Sequence, residues 1–218
     1  MLDTYHRWRR SVEYPSEDTM ILYMATNNAH KLDEIRLAMP GVDIRIPSDA
    51  GIDFDFPENE DSFLGNSTGK ALALWRLVRA PVLADDSGLC VDALGGRPGV
   101  LSARYGSLDG VTPLGAVERN DLLLSEMAGV GERSCRFVCC MSLVMSPDRI
   151  FVAQETCEGE LLKAPRGSGG FGYDPVVFLP GLGKSVAELG AREKNAVSHR
   201  GRAIARMAAV IDSLERMG

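Results

Sequence analysis

The apolar positions begin to alternate with purpose at Met20. The run "MILYMAT", residues 20–26, predicts a first strand. The segment that follows, "NNAHKLDEIRLAMPG", predicts a helix: Leu32, Ile35 and Met39 recur at helical spacing, and Pro40-Gly41 end it. A short strand "VDIRI" comes next, then an acidic loop "DFDFPENED", then a helix from about Ser62 to Arg79. "PVLADD" predicts a strand that gives way to the glycine-punctuated loop "SGLCVDALGGRPGV". A helix over about 112–128 precedes two long β runs, "RFVCCMSLVMS" and "RIFVAQETCEGELL". Their short connection "PDR" predicts an antiparallel hairpin. The last helix, 199–216, gathers Ile204, Met207, Ala208, Ile211 and Leu214 on one face. Strands and helices alternate early and a hairpin lies late, which predicts an α/β fold with a mixed sheet flanked by helices. Residues 1–19 are polar and lack periodicity. They are expected to form an N-terminal extension to a single domain spanning 20–218, with Met20 a candidate start of translation.

Composition narrows the picture. A net charge of −6 and a pI near 5.2 argue against a broad nucleic-acid-binding face. No apolar run approaches the ~20 residues that span a bilayer, so no membrane association is expected. The first residues lack the apolar core of a secretory signal. Five cysteines with no CxxC pair point to reduced, buried thiols and a cytoplasmic location.

The candidate chemistry lies in short polar segments. "FLGNSTGKA", residues 63–71, imitates a phosphate-binding loop but fails its spacing: Gly65 and Gly69 are one residue too close, and Ala71 stands where a hydroxyl is required. "TNNAHK" (Thr26, Asn27, Asn28, Ala29, His30, Lys31) follows a strand and opens a helix, a setting that favours an anion, although an Asn cap with a surface lysine has the same appearance. Asp85 and Asp86 end a strand, where successive side chains face opposite sides. One could work on a metal or a water while the other ties down the turn. "GSGGFGYDP" offers Phe171, Gly172, Tyr173 and Asp174 in a glycine frame suited to a purine, or equally a connecting loop. Lys194, His199 and Arg200 stand at the start of the last helix. His199 has no i+4 partner for a metal, and no GxSxG elbow supports a serine hydrolase.

Taken together and in this order, these segments resemble the inosine triphosphate pyrophosphatase family, also called dITP/XTP pyrophosphatases. The resemblance spans essentially residues 20–216. It implies a long twisted mixed sheet in two lobes around a central substrate cleft, a homodimer, and Mg²⁺-dependent hydrolysis of XTP, dITP and ITP to monophosphate and pyrophosphate. By the same resemblance, Thr26 to Lys31 would hold the triphosphate, with Asn66 and Lys70 bordering it. Asp86 would act as general base and metal ligand, and Ser87 would contact substrate. Phe171 to Asp174 would cradle the base, and Lys194, His199 and Arg200 would complete recognition.

The chain departs from the family at one place. Members read Phe-x-Glu-Asn where this sequence reads "FLGN", so Gly65 stands in for an acid expected to help bind Mg²⁺. Asp85 is one alternative second ligand. Glu58, Glu60 and Asp61 are others, with Glu60 or Asp61 favoured because they lie near the helix start. Two further readings follow: a nucleotide-binding protein with impaired catalysis, and a pyrophosphatase with shifted base specificity.

Overall fold

The computed structural model describes residues 20–110 and 112–216, so the expectation for residues 1–19 lies outside the described residues. Seven strands form one mixed sheet: β1 (Ile21–Met24), β2 (Asp43–Arg45), β3 (Val82–Val91), β4 (Ser134–Ser146), β5 (Arg149–Leu161), β6 (Val177–Leu179) and β7 (Lys184–Ser185). Their order is β2-β1-β3-β4-β5-β6-β7. β1 is parallel to both neighbours, and every pairing beyond β3 is antiparallel. The chain passes from β1 to β2 on one side and then crosses back to β3 on the other, so strand order reverses at β1, and the crevice at the carboxyl end of such a strand is where α/β folds take ligands.

Five helices cover this sheet: α1 (Ala29–Ala38), α2 (Phe63–Val78), α3 (Ala116–Glu126), α4 (Ala191–Val197) and α5 (His199–Arg216). On one face α1 and α5 bury Leu32, Ile35, Ile204, Met207 and Ile211 against Leu22, Leu83, Cys139, Met141 and Leu143. On the other, α2 seats Ala71, Leu74 and Trp75 on Val82, Ala84 and Val144. A third cluster joins α3 to the far end of β3 and to β6 through Leu89, Leu123, Met127, Val176 and Val177. All five cysteines are buried and free. Among the described residues no helix is long and apolar enough to cross a membrane.

The sequence pattern differs from the structure in three places. β3 does not end at Asp86; it continues through Ser87-Gly88-Leu89-Cys90-Val91, because β4 pairs with it without a break from Val82↔Val144 to Val91↔Cys135. Gly88 suits this course, since a Cβ there would collide with the Gly99 carbonyl and Ser102, which press against the strand. The helix expected over 112–128 is shorter, 116–126, and begins after Gly115, whose N–H is capped by Glu118. The short β6, β7 and α4 carry too few periodic residues to be recognised in advance.

Candidate functional site

One cleft runs between the sheet, the start of α1 and the segment 171–174, with an empty volume of about 760 Å³, part of it open to solvent. One end is polar. Thr26 Oγ1 accepts from the Asn28 N–H (3.1 Å), and Asn28 caps α1 by accepting from the Lys31 N–H (3.2 Å). Asn28 and Lys31 line the cleft at this helix N-terminus, where N–H groups and the helix dipole favour an anion.

Strand parity separates the two consecutive aspartates. Asp85 lies on the face covered by α1 and α5. Its Oδ2 is 3.1 Å from Lys31 Nζ and 3.2 Å from Arg200 Nε, and its Oδ1 is buried without a hydrogen-bond partner. Burial would push Asp85 up, yet Lys31 and Arg200 hold it well below the usual carboxylate range. Asp85 does not reach the cleft lining. Asp86 faces α2 and does line it; its Oδ2 accepts from Asn66 Nδ2 (2.9 Å) and its Oδ1 from the Ser87 N–H (2.8 Å). Burial, and then the neighbouring Glu58 charge, push Asp86 up to about 6, against the pull of the Asn66 hydrogen bond.

The second acid of the cleft is Glu58. Glu60 and Asp61, favoured from the sequence, are both exposed and absent from the cleft lining. Glu60 is instead held by its backbone: its N–H donates to Asn66 Oδ1 (3.0 Å) and its carbonyl accepts from Asn66 Nδ2 (3.4 Å). Gly65 does not line the cleft either. A Cβ at Gly65 would stand 2.8 Å from the Glu60 Cβ, so a side chain there would displace Glu60. Lys70 lies behind Glu58 as its ion-pair partner.

The other end is aromatic and densely charged. Phe171 sits under Lys194 Nζ (4.5 Å to the ring centroid) and Arg200 (5.6 Å), and His30 stacks on it with centroids 5.1 Å apart. Asp174 Oδ2 accepts from the Phe171 N–H and from Lys194, both at 2.8 Å. Burial keeps Asp174 raised despite the lysine. Glu34 pairs with Lys194 (2.8 Å) and Arg200 (2.5 Å); burial opposes its charge, but these two cations keep it below its ordinary value. Arg200, almost wholly buried, also donates to Ser87 Oγ at 2.7 Å. His199 stacks on Phe137 (4.8 Å). Burial and the adjacent Arg200 and Lys194 charges hold it well below its usual range, so it contributes a neutral ring with an unpartnered Nδ1.

Of the residues expected from the sequence, Asn28, Lys31, Asp86, Ser87, Phe171, Gly172, Tyr173, Asp174, Lys194, His199 and Arg200 line the cleft. Thr26, His30, Asn66 and Lys70 stand one contact behind it, through Asn28, Phe171, Asp86 and Glu58 respectively. Asn27 turns away to the Phe54 carbonyl (3.1 Å), and Ala29 only begins the helix. Sequence reasoning missed Glu34 and Arg119. Glu34 carried a usable signal, since it lies three residues beyond Lys31 and hence on the same helix face. Arg119 gave none: it reaches the cleft because α3 folds back to give the Ala103 carbonyl a donor.

A divalent cation fits this donor set. Among the described residues no group of three or more His, Cys, Asp or Glu could hold a metal by themselves. Two carboxylates that line the cleft, Asp86 and Glu58, would be the sparse protein contribution that Mg²⁺ accepts when substrate phosphates and water supply the remainder.

Comparison with known proteins identifies relatives of the whole domain. The Ham1 family model matches residues 22–210. A dITP/XTP pyrophosphatase of Treponema denticola is 49% identical over 185 residues, covering 85% of this chain and 95% of its own. One from Ralstonia nicotianae is 44% identical over 193 residues, covering 85% and 94%. Among solved structures, a HAM1 protein from Coxiella burnetii superposes with a TM-score of 0.81 at 31% identity, covering 89% of this chain and all of that one.

Proposed function

The chain belongs to the Ham1 family, and on that premise we propose that it is a nucleoside triphosphate pyrophosphatase acting on deaminated purine nucleotides such as XTP, dITP and ITP. The observation that carries this reading is one cleft with an acid pair and a helix N-terminus at one end and an aromatic ring among cations at the other. Such a cleft receives a triphosphate at the first end and a purine at the second.

Asp86 takes the proton from a water that attacks the α-phosphorus; the bond from that phosphorus to the bridging oxygen breaks, and pyrophosphate leaves. A base with a pKa near the working pH is well placed for this step. Asn66 aims the Asp86 carboxylate, and Lys31 with the α1 N-terminus receives phosphate charge. Asp86 and Glu58 would hold Mg²⁺, which when present neutralises charge on the phosphate oxygens. Phe171 offers its face to the base. Lys194 supplies a donor toward a 6-oxo group, and a buried donor left facing a 6-amino group disfavours adenine.

Gly65 removes one expected acid, and its part is assigned to Glu58, which lines the cleft with Asp86. The family's dimeric form is kept as part of the proposal. It is supported by a second groove in which Leu64 and Leu101 leave nearly half their surface exposed. The test is pyrophosphate release from XTP, dITP, dGTP and dATP with and without Mg²⁺. Turnover of XTP and dITP alone, requiring Mg²⁺, is expected; binding without turnover would refute the reading.

A further inference from the structure

The segment 52–61, acidic through most of its length, carries Glu58 into the cleft yet contains no helix or strand. Its residues nonetheless alternate. Ile52, Phe54, Phe56 and Glu58 are half-buried, while Asp53, Asp55, Pro57 and Asn59 are exposed. Phe56 and Glu58 share the inward side, as residues two apart do in an extended chain, and a three-residue turn centred on Glu58, in which the Asn59 N–H donates to the Pro57 carbonyl (3.0 Å), follows at once. Whatever fixes Phe56 therefore sets where that turn begins and with it the side to which Glu58 is presented.

Phe56 is fixed against α2 at Gly69. A Cβ at that position would stand 2.9 Å from Phe56 Cζ, closer than real Cβ contacts come. Gly69 lies in the interior of a sixteen-residue helix, where glycine costs about 1 kcal/mol relative to alanine. The next residue, Lys70, pairs with Glu58. Two residues of the loop thus dock on two residues of the helix, ring on glycine and carboxylate on ammonium. Further bonds hold the backbone on either side: Asn27 Nδ2 to the Phe54 carbonyl, Arg104 to the Glu58 carbonyl (2.5 Å), and Asn66 bracketing Glu60.

We propose that Gly69 and Phe56 are positioning residues: the notch left by the missing side chain seats the ring, and the seated ring sets the phase that presents Glu58 to the cleft. Metal binding depends on them although neither touches the metal. This inference rests on the reading of Glu58 as a metal ligand.

The test uses the full chain with Mn²⁺ as a spectroscopic probe, in Gly69→Ala, Phe56→Ala, Glu58→Gln and the volume swap Phe56→Ala/Gly69→Leu. Gly69→Ala favours the helix and Phe56→Ala introduces no clash, so neither relies on a variant that fails to fold. Amide hydrogen exchange over residues 56–60 is expected to quicken in both single variants, while that of residues 72–78 stays unchanged. Mn²⁺ affinity measured by electron paramagnetic resonance is expected to fall ~10-fold, as when a residue supporting a metal ligand is lost. The swap is expected to restore part of both, and kcat at saturating metal is expected to hold. Wild-type loop exchange and Mn²⁺ affinity in both single variants would overturn the proposal. Unchanged Mn²⁺ affinity in Glu58→Gln would instead overturn the metal-ligand reading, with loop exchange still deciding whether ring and notch set the segment.

Discussion

Asp85 and Asp86 are neighbours on β3 in opposite electrostatic states. Asp85 is held ionised between Lys31 and Arg200 on one face of the sheet. On the other face, Asp86 is raised to about 6 by burial and by Glu58. One residue of strand parity assigns the first to architecture and the second to chemistry.

Asp86→Asn should therefore cost activity and add stability. Loss of a general base lowers kcat by ~10²–10⁴-fold. In the metal-free protein a carboxyl whose folded pKa lies above its unfolded value of 3.8 stabilises the fold fully only below 3.8. That contribution is lost as pH rises through about 6. At pH 7.5 the ionised Asp86 thus opposes folding by ~3 kcal/mol, the equivalent of its shift. Urea titrations at pH 7.5 should show the variant more stable than wild type, with the gap closing toward pH 4.

The same shift sets the acid limb of the rate profile. The proton acceptor must be ionised, so kcat/KM should fall on the acid side, with a limb that starts from about 6 in the protein without metal and moves to lower pH as Mg²⁺ is raised. An acid limb that does not move with Mg²⁺ concentration would remove Asp86 from the shared role of base and metal ligand.

Arg200→Met should unfold the protein far more readily than a surface change. It takes one of two cations from each of the buried Asp85 and Glu34, leaving them to Lys31 and Lys194 alone, and breaking a buried pair costs up to ~3–5 kcal/mol. The midpoint of chemical denaturation, compared with that of Arg206→Met at the exposed pair with Glu155, measures the difference.

Phe171→Ala removes the ring offered to the base. Stacking of a nucleobase on an aromatic side chain is worth ~1–3 kcal/mol, so KM should rise ~5- to 150-fold. The Mn²⁺ affinity of the protein alone should not move, since the ring lies at the other end of the cleft.

Gly65→Glu should not strengthen metal binding. A Cβ there stands 2.8 Å from Glu60 Cβ and 3.1 Å from Ser62 Oγ, so a glutamate enters only by displacing the segment that carries Glu58. Mn²⁺ titration of the variant checks this, and a marked gain in affinity would show that the new carboxylate reaches the metal.

Much of this was legible in the chain. α1 and α5 were readable because one face of each is apolar at helical spacing, and Asn28, Lys31, Asp86 and Phe171 because short motifs place them after strands or in glycine frames. Glu58 was harder. Proximity to the helix start favoured Glu60 and Asp61, but of the three only Glu58 lines the cleft, on a loop whose Phe56 ring meets α2 thirteen residues later. The continuation of β3 past Asp86 was hidden for a related reason: Ser87-Gly88 looks like a turn until β4 is known to pair with it. Local pattern reports local structure, and these features are decided by a distant partner.

Arg200 ties α1, β3 and α5 together at a depth where it is almost inaccessible to solvent. The contacts that shape the cleft are in this respect the contacts that hold the domain closed. Amides from Asp86 to Leu89 should then exchange with solvent only through global opening of the molecule, with a protection free energy equal to that of complete unfolding. The enzyme's binding surface would have no looser, locally melted state of its own.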